Sequence, residues 1–218
     1  MGTLIDAGIN ENKIIKIPLA YPEVSEDYLM KDSIDSFTFI CIGSLSLTKG
    51  THILLDAWRK HFSKLANAKL IFAGNNSLPD KVIENLPANI RIMGFLNKPD
   101  LELIYREADL LVFPTLGDGF GMVITEAMAH GIPVLTTKNS AGYDLIENEV
   151  DGFITEAGDA EALAERMRWI VENKSILPNM SKLIIEKAKK YQWSDYRKLL
   201  IKDVEKAYLD FKANKLTL

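Results

Sequence analysis

The sequence contains a single cysteine, Cys41, so no disulfide can form within the chain. Because Cys41 lies in the middle of an apolar run, we expect it to be a buried apolar residue in a reducing compartment. There are three histidines, and none has metal-ligand spacing to a carboxylate or to the cysteine. The sequence therefore predicts neither a disulfide framework nor a metal cofactor.

The chain also has no excess of positive charge. The chain has 26 lysines and arginines against 30 aspartates and glutamates, giving a net charge of −4, so no basic stripe is available for nucleic acid. No apolar stretch is long enough to cross a membrane and no signal peptide is recognisable, so we expect a cytoplasmic location. Basic residues do gather at 182–202, but acids intervene, which favours a solvated helix face over a membrane-binding patch.

What the sequence does have is a repeated alternation of short apolar runs with amphipathic segments. This pattern predicts an α/β fold with a doubly wound, Rossmann-like parallel sheet, whose ligands bind at the carboxyl ends of the strands. The chain is predicted to become helical from about residue 159. The predicted strands are 37–42, 69–73, 90–93, 109–113, 133–137 and 152–155, and the predicted helices are 49–62, about 80–85, 99–106, 120–130, 143–147, 160–173, 175–191 and 194 into the 210s.

The most informative stretch is 114–134, PTLGDGFGMVITEAMAHGIPV, which follows an apolar strand. Gly117, Gly119 and Gly121 lack Cβ atoms, so the backbone can adopt positive φ and a ligand can approach it closely. A helix that opens near Phe120 is expected to point unpaired amides at that ligand. Such a turn attracts anions and hydroxyl oxygens.

Two acids lie in this stretch. Asp118 is in the glycine turn, and Glu126 follows with seven residues between them, about two turns inside the predicted helix. The two carboxylates can therefore hold different parts of one elongated ligand. Vicinal sugar hydroxyls are suitable donors to a carboxylate that is partly buried. Taken alone, Asp118 would equally fit a helix cap and Glu126 a solvated helix residue.

Together these residues resemble the signature of the retaining, nucleotide-sugar-dependent glycosyltransferases of family 4, P-S-x-x-E-G-F-G-x-x-x-x-E-A-M-A-x-G-x-P-V. Thr115 replaces the usual serine, and Asp118 replaces the usual first glutamate with a side chain one methylene shorter. The resemblance implies that Asp118 and the turn backbone hold a donor sugar and that Glu126 holds the ribose. The matching positions are Pro114, Thr115, Asp118, Gly119, Phe120, Gly121, Glu126, Ala127, Met128, Ala129, Gly131, Pro133 and Val134.

A second element of the resemblance lies upstream, where the family has G-R-x-x-x-x-K-G. Gly43 and Lys49 match this pattern, but Ser44 stands where the arginine usually is. The resemblance implies that Lys49 holds the donor diphosphate as a point charge, with one hydrogen bond from Ser44 in place of the arginine. A phosphate-binding P-loop and a dinucleotide fingerprint are both excluded, because neither Gly-Lys-Ser/Thr nor G-x-G-x-x-G is present where it would be needed.

Further family positions follow from the same comparison. The turn at Gly94 and Phe95 resembles the one that lies against the nucleobase, although a turn that merely closes a strand would fit as well. Gly142 resembles the glycine that brings a later loop close to the donor. The implied donor-binding set is Gly43, Ser44, Lys49, Gly94, Phe95, Asp118, Gly119, Phe120, Gly121, Met122, Val123 and Glu126, and the implied catalytic residues are Lys49, Asp118 and Glu126.

The resemblance covers only one half of such an enzyme. These glycosyltransferases have two facing domains (GT-B fold), of which the amino-terminal one binds an acceptor glycan or glycolipid. Residues 1–36 resemble the segment between the domains, and 37–218 resemble the donor-binding domain with its carboxyl-terminal helices. We therefore expect a hexosyl-transferring half that needs the missing acceptor domain for activity and uses no metal. The full-length enzyme is expected to act in polysaccharide, lipopolysaccharide or glycolipid synthesis, with a possible peripheral membrane contact.

Two alternatives remain open from the residues alone. The chain could be a catalytically silent nucleotide-binding half that works with a partner chain. It could also belong to a nucleotide-sugar epimerase of related two-domain fold, although the run GFGMVITEAMA argues against that.

Overall fold

The computed structural model describes residues 2–17, 19–24 and 36–215. Six strands form one parallel sheet in the order β3-β2-β1-β4-β5-β6. This confirms the predicted doubly wound, Rossmann-like fold, and all six predicted strands are present. The strands are β1 (Phe37–Ile42), β2 (Ala68–Ala73), β3 (Ile90–Ile92), β4 (Leu110–Phe113), β5 (Val134–Thr137) and β6 (Phe153–Thr155).

Helices cover the sheet and continue beyond it. β1, β4 and β5 are buried along their whole length, as expected of parallel strands with helices on both faces. On one face, an aromatic cluster of Phe39, Trp58 and Phe62 holds a helix against β1. The helices are α1 (Gly2–Asp6), α2 (Thr51–His61), α3 (Asp80–Ile83), α4 (Lys98–Glu107), α5 (Met122–Ala129), α6 (Gly142–Leu145), α7 (Ala160–Glu172), α8 (Leu177–Lys190) and α9 (Trp193–Lys215).

Helix α8 begins at Leu177 instead of the predicted 175, because a 3-10 turn spans Lys174–Ile176. Helices α2 and α5 also begin two residues later than predicted. The sequence places their starts at 49 and 120, whereas α2 begins at Thr51 and α5 at Met122. In each case the preceding residue, Gly50 or Gly121, has a left-handed backbone with φ of 68° or 81°, which ends the loop before helical geometry can begin. The start of α7 agrees with prediction, because the Asp159 side chain caps it through the Ala162 amide at 2.9 Å.

The predicted interdomain segment 1–36 is described only in part, since residues 1, 18 and 25–35 lie outside the described residues. Within it, Ala20 and Tyr21 are buried, and the Tyr21 amide donates to the Tyr191 carbonyl at 3.1 Å. The segment around Tyr21 therefore packs at the junction of α8 and α9.

The strand order locates the functional edge of the sheet. Chain connections run in opposite directions on the two sides of β1 and β4, which makes the gap between these strands the topological switch point. Open α/β sheets bind ligands in the crevice outside the carboxyl ends of the strands at this point. The loops that leave β1 and β4 here are residues 43–50 and 114–121, the two stretches singled out from the sequence.

Candidate functional site

The two switch-point loops are held in direct contact. The Thr48 carbonyl accepts hydrogen bonds from the Leu116 amide at 2.9 Å and from the Thr115 hydroxyl at 3.1 Å. Gly50 makes the close approach possible, because a Cβ atom there would lie 1.9 Å from the Pro114 carbonyl oxygen. Thr115, which replaces the family's serine, thus uses its hydroxyl to join the loops.

Lys49 and Asp118 meet across these loops. Their side chains form an ion pair, with exposed fractions of 30% for Lys49 and 13% for Asp118. The Lys49 ammonium group also lies 5.5 Å from the centroid of the Phe113 ring, within cation–π range. The structure therefore brings together the two charged groups that the sequence predicted to act on one ligand.

The Asp118 carboxylate also organises its own turn. Its Oδ1 accepts from the Phe120 amide at 3.1 Å, and the Gly121 amide adds a further interaction. Burial of the carboxylate raises its pKa, but Lys49 and these two amides outweigh that effect and hold the pKa of Asp118 below its ordinary value. The sequence predicts unpaired amides where the helix opens near Phe120, but the Phe120 amide itself is paired, because the short Asp118 side chain reaches back to it.

Two amides without an acceptor among the described residues belong to the first turn of α5. The Ile124 amide bonds the Gly121 carbonyl, whereas the amides of Met122 and Val123 have no acceptor among the described residues. Of the three turn glycines, Gly121 uses the freedom to adopt a positive φ, whereas Gly117 and Gly119 do not. A helix N-terminus of this kind favours an anionic ligand.

Glu126 is the fifth residue of α5, just over one turn from its start instead of the predicted two. Its Oε2 accepts a hydrogen bond from the Tyr105 hydroxyl of α4 at 3.0 Å. His130, at the end of α5, stacks on the Tyr105 ring and bonds the Glu102 carboxylate. Neither Tyr105 nor His130 belongs to the residues predicted to form the site. The only sequence signal for them was spacing, since Glu102 and Tyr105 are three residues apart and Glu126 and His130 four.

A third loop, residues 138–141, supports the Asp118 turn from the side of β5. The Asn139 carbonyl accepts from the Asp118 amide at 3.0 Å, and the Asn139 side chain donates to the Leu116 carbonyl at 3.0 Å. Gly142, which follows this loop, is buried, and a Cβ there would lie 2.3 Å from Thr136 Cγ2. A glycine is thus required at this position by packing against β5.

The residues that follow β1, β2 and β3 extend the candidate site along the carboxyl ends of the strands. Gly43 donates its amide to the Ala73 carbonyl at 2.9 Å, and the Gly74 amide donates to the Gly94 carbonyl at 2.7 Å, so these glycines lie side by side. Ser44 is exposed beside Gly43. Phe95, next to Gly94, has 76% of its surface exposed, which is unusual for a phenylalanine and leaves a ring face for contact.

Within residues 2–17, 19–24 and 36–215 there is no group of three or more histidine, cysteine, aspartate or glutamate side chains that could hold a metal ion. The same residues contain no helix that is both long and apolar enough to span a membrane. That the site needs no metal stays a prediction.

Comparison with known proteins gives the family. Residues 36–173 match the family described as Glycosyl transferases group 1. The capsular polysaccharide biosynthesis glycosyltransferase CapM of Staphylococcus aureus is 32% identical over 146 residues, which are 65% of this chain and 38% of CapM. An uncharacterised glycosyltransferase of Methanocaldococcus jannaschii, MJ1607, is 29% identical over 174 residues, which are 75% of this chain and 43% of that protein. The chain thus spans less than half the length of either relative.

Solved structures agree on the fold. The apo form of the lipopolysaccharide outer core galactosyltransferase WaaB superimposes with a TM-score of 0.78 at 16% identity, over 94% of this chain and 59% of WaaB. Both switch-point loops, with Lys49, Asp118 and Glu126, lie inside the stretch that matches the family. Because this stretch covers well over half of the sequence, the chain belongs to the Glycosyl transferases group 1 family and has the Rossmann-like domain of a GT-B glycosyltransferase.

Proposed function

We propose that this chain is the donor-binding domain of a retaining glycosyltransferase, which transfers a sugar from a nucleoside diphosphate to an acceptor hydroxyl. The observation that carries the proposal is the Lys49–Asp118 pair at the switch point, together with the first amides of α5, which have no acceptor among the described residues. A nucleotide sugar has a dianionic diphosphate between two sets of hydroxyls. This edge of the sheet offers a cation and a helix N-terminus for the diphosphate and a carboxylate for hydroxyls.

Lys49 and the start of α5 would hold the diphosphate. Lysine acts on phosphate as a point charge, and the amides of Met122 and Val123 supply donors without a competing protein acceptor among the described residues. The exposed hydroxyl of Ser44 would donate one hydrogen bond in place of the arginine that is usual there. We therefore assign charge stabilisation of the leaving diphosphate mainly to Lys49.

Asp118 and its turn would hold the sugar. Each carboxylate oxygen accepts more than one hydrogen bond, so Asp118 can receive sugar hydroxyls while Oδ1 keeps the Phe120 amide. Gly119 is exposed and lacks a side chain, so its backbone is open to the ligand. Lys49 would move from Asp118 to the phosphate when the donor binds, which releases Oδ2 for the sugar.

Glu126 would accept hydrogen bonds from the ribose hydroxyls. Its Oε1 has no protein donor among the described residues, and its side chain is partly exposed. Gly43, Gly94 and Phe95 would lie against the base, where the exposed Phe95 ring offers an aromatic face. The donor would then lie along the carboxyl ends of the strands, with its base next to the end of β3 and its sugar next to the start of α5.

Catalysis in this proposal is orientation and charge stabilisation. The acceptor oxygen forms a bond to the anomeric carbon on the face from which the diphosphate departs. The bond from that carbon to the diphosphate oxygen breaks, and the acceptor proton passes to the departing phosphate. No covalent enzyme intermediate is needed, and Lys49 stabilises the charge that develops on the leaving group.

The relatives support the chemical class of the substrates. HepE of Anabaena was solved with UDP-glucose, and it superimposes on 79% of this chain with a TM-score of 0.68 at 22% identity, the chain covering 49% of HepE. The name of CapM refers to capsular polysaccharide biosynthesis. A nucleotide sugar as donor and a glycan or glycolipid as acceptor, bound by an amino-terminal domain, follow as our proposal for the full-length enzyme. No nucleic acid, metal or other cofactor is part of it.

Calorimetric titration of the chain with UDP, GDP and ADP, followed by sugar conjugates of whichever binds, tests the donor site. Glu126→Ala and Lys49→Ala should each weaken binding, whereas Glu165→Ala and Lys182→Ala, on exposed faces of α7 and α8, should not. In the full-length enzyme the two site variants should abolish transfer. Unchanged transfer would refute the assignment, and nucleotide binding by a full-length protein that transfers nothing would identify a silent binding half.

A further inference from the structure

Helices α4 and α5 are joined by two matched pairs of side chains near Glu126. Glu102 and Tyr105 lie on one face of α4, and His130 and Glu126 lie on one face of α5. Tyr105 donates its hydroxyl hydrogen to Glu126 Oε2 at 3.0 Å, and His130 Nε2 lies 2.9 Å from a Glu102 carboxylate oxygen. The rings of Tyr105 and His130 stack between these bonds, with centroids 4.4 Å apart and planes 14° from parallel.

Tyr105 is built to donate. It is buried, and its burial and the nearby charge of Glu126 raise the pKa of its hydroxyl far above the ordinary value. The hydroxyl therefore keeps its proton at neutral pH and can donate it to a hydrogen bond. The hydroxyl has one acceptor among the described side chains, Glu126, so the bond always points the same way.

His130 fixes the Tyr105 ring. Its Nδ1 lies 2.7 Å from the Glu126 carbonyl oxygen, and its Nε2 lies between the two carboxylate oxygens of Glu102 at 2.9 and 3.0 Å. All of these oxygens are acceptors, so the imidazole is held through its two ring nitrogens, one toward α5 and one toward α4.

We propose that Tyr105, held in place by His130 and Glu102, is a positioning residue that fixes the Glu126 carboxylate for the donor ribose. The inference rests on the proposed function, because it needs Glu126 to accept from the ribose. A glutamate side chain has three rotatable bonds, and a ligand that uses it must otherwise order all of them. The Tyr105 bond holds one oxygen, Oε2, and thereby leaves Oε1 in a defined place for the vicinal hydroxyls.

Packing alone would not need the hydroxyl. A phenylalanine at 105 would stack on His130 equally well, but it would leave Oε2 without its donor. Tyr105→Phe therefore removes the positioning bond and keeps the ring. Tyr21→Phe is the matched control, because Tyr21 is equally buried and its hydroxyl has no hydrogen-bond partner in the described structure.

The test compares nucleotides with and without ribose hydroxyls. The unsubstituted chain, Tyr105→Phe, Tyr21→Phe and Glu126→Ala are titrated calorimetrically with UDP, GDP and ADP, each beside its 2′,3′-dideoxy form. Tyr105→Phe should weaken binding of the ribose form by about tenfold, the size of a hydrogen bond to a charged group, and leave the dideoxy form unchanged. His130→Phe, which keeps a stacked ring but loses both bonds, should show a smaller loss that is again confined to the ribose form.

The outcomes separate this inference from the function on which it rests. If Glu126→Ala discriminates between the two forms and Tyr105→Phe does not, Tyr105 is not a positioning residue and the donor site stands. Equal weakening of both forms by Tyr105→Phe would show a general structural role and would also overturn the inference. If Glu126→Ala weakens neither form selectively, or the unsubstituted chain binds none of the nucleotides, the assignment of Glu126 fails and the inference fails with it.

Discussion

Lys49 forms an ion pair with Asp118, 69 residues further along the chain, across the gap where the order of the sheet reverses. The two residues come from loops that are separately bonded through Thr48 and Thr115, so the pair does not have to hold the loops together by itself. Lys49 can therefore exchange the Asp118 carboxylate for another anion without separating the loops. A phosphate that approaches Lys49 competes with the Asp118 carboxylate for the same ammonium group.

This competition predicts opposite effects of one substitution on two ligands. Asp118→Asn should strengthen binding of the nucleoside diphosphate several-fold, because Lys49 is no longer shared and a negative charge near the phosphate is removed. The same variant should lose the gain in affinity that the sugar provides, since the proposed function assigns the sugar hydroxyls to this carboxylate. Calorimetric titration with UDP and with UDP-glucose measures both effects.

Asp56→Asn provides the control for this experiment, because Asp56 also forms an ion pair with a lysine, Lys60, but on the exposed face of α2. It should change neither affinity. Weaker binding of UDP by Asp118→Asn would contradict the competition and would show that the carboxylate helps to place Lys49.

The ion pair should also make stability depend on pH. The folded chain holds the pKa of Asp118 below its ordinary value, so the carboxylate stabilises the fold fully above the ordinary aspartate value of about 3.9. That contribution is lost as the pH falls through the lowered value. Asp118→Asn should therefore lower the free energy of unfolding at pH 7 by on the order of 1 kcal/mol, as measured by urea denaturation. In acid, the stabilities of the variant and the parent should converge. A difference that persists unchanged at acid pH would assign the effect to something other than the charge.

The turn glycines should differ sharply in what they tolerate. Gly121→Ala should destabilise the fold by about 2 kcal/mol or more, because φ is 81° and the new Cβ would lie 2.9 Å from the Phe113 ring. Gly117→Ala is the matched control, since its backbone is not left-handed and no atom would lie within 4 Å of the added methyl group. Thermal unfolding of the two variants measures the difference, and equal melting temperatures would contradict the geometry.

The fold could be predicted from the sequence because its signals are local. Buried parallel strands such as β1 and β4 appear in the sequence as unbroken apolar runs. Asp159 marks the start of α7, because its side chain caps the amide of Ala162, only three residues further along. The predicted starts of α2 and α5 are two residues too early, because the sequence does not show which glycine adopts the left-handed conformation. At Gly50 a side chain is also excluded by Pro114, a residue of the other loop, and the sequence does not show this contact.

The site could be predicted only as far as its motifs extend. Lys49 and Asp118 are expected to act on one ligand, and their contact agrees with that, but their roles remain predictions. Tyr105 is separated from Glu126 by 21 residues and lies on another helix, so only the packing of α4 against α5 reveals the bond between them. The pairing of the Phe120 amide with Asp118 depends on the length of the aspartate side chain, which a motif written for glutamate does not describe.

The single cysteine offers a direct measure of ligand binding at the switch point. Cys41 lies in β1, two residues before Gly43, and burial raises the pKa of its thiol to about 12. The folded chain should therefore react with a disulfide reagent such as DTNB only through opening of the sheet, and far more slowly than the chain in concentrated urea. A nucleotide that bridges the loops after β1 and β4 stabilises the closed form by RT ln(1 + [L]/Kd), so UDP at about 100 times its Kd should slow labelling by up to about 100-fold. Rapid labelling of the folded chain would contradict the burial of Cys41, and labelling that UDP slows in Lys49→Ala as much as in the parent would contradict the place given to the diphosphate.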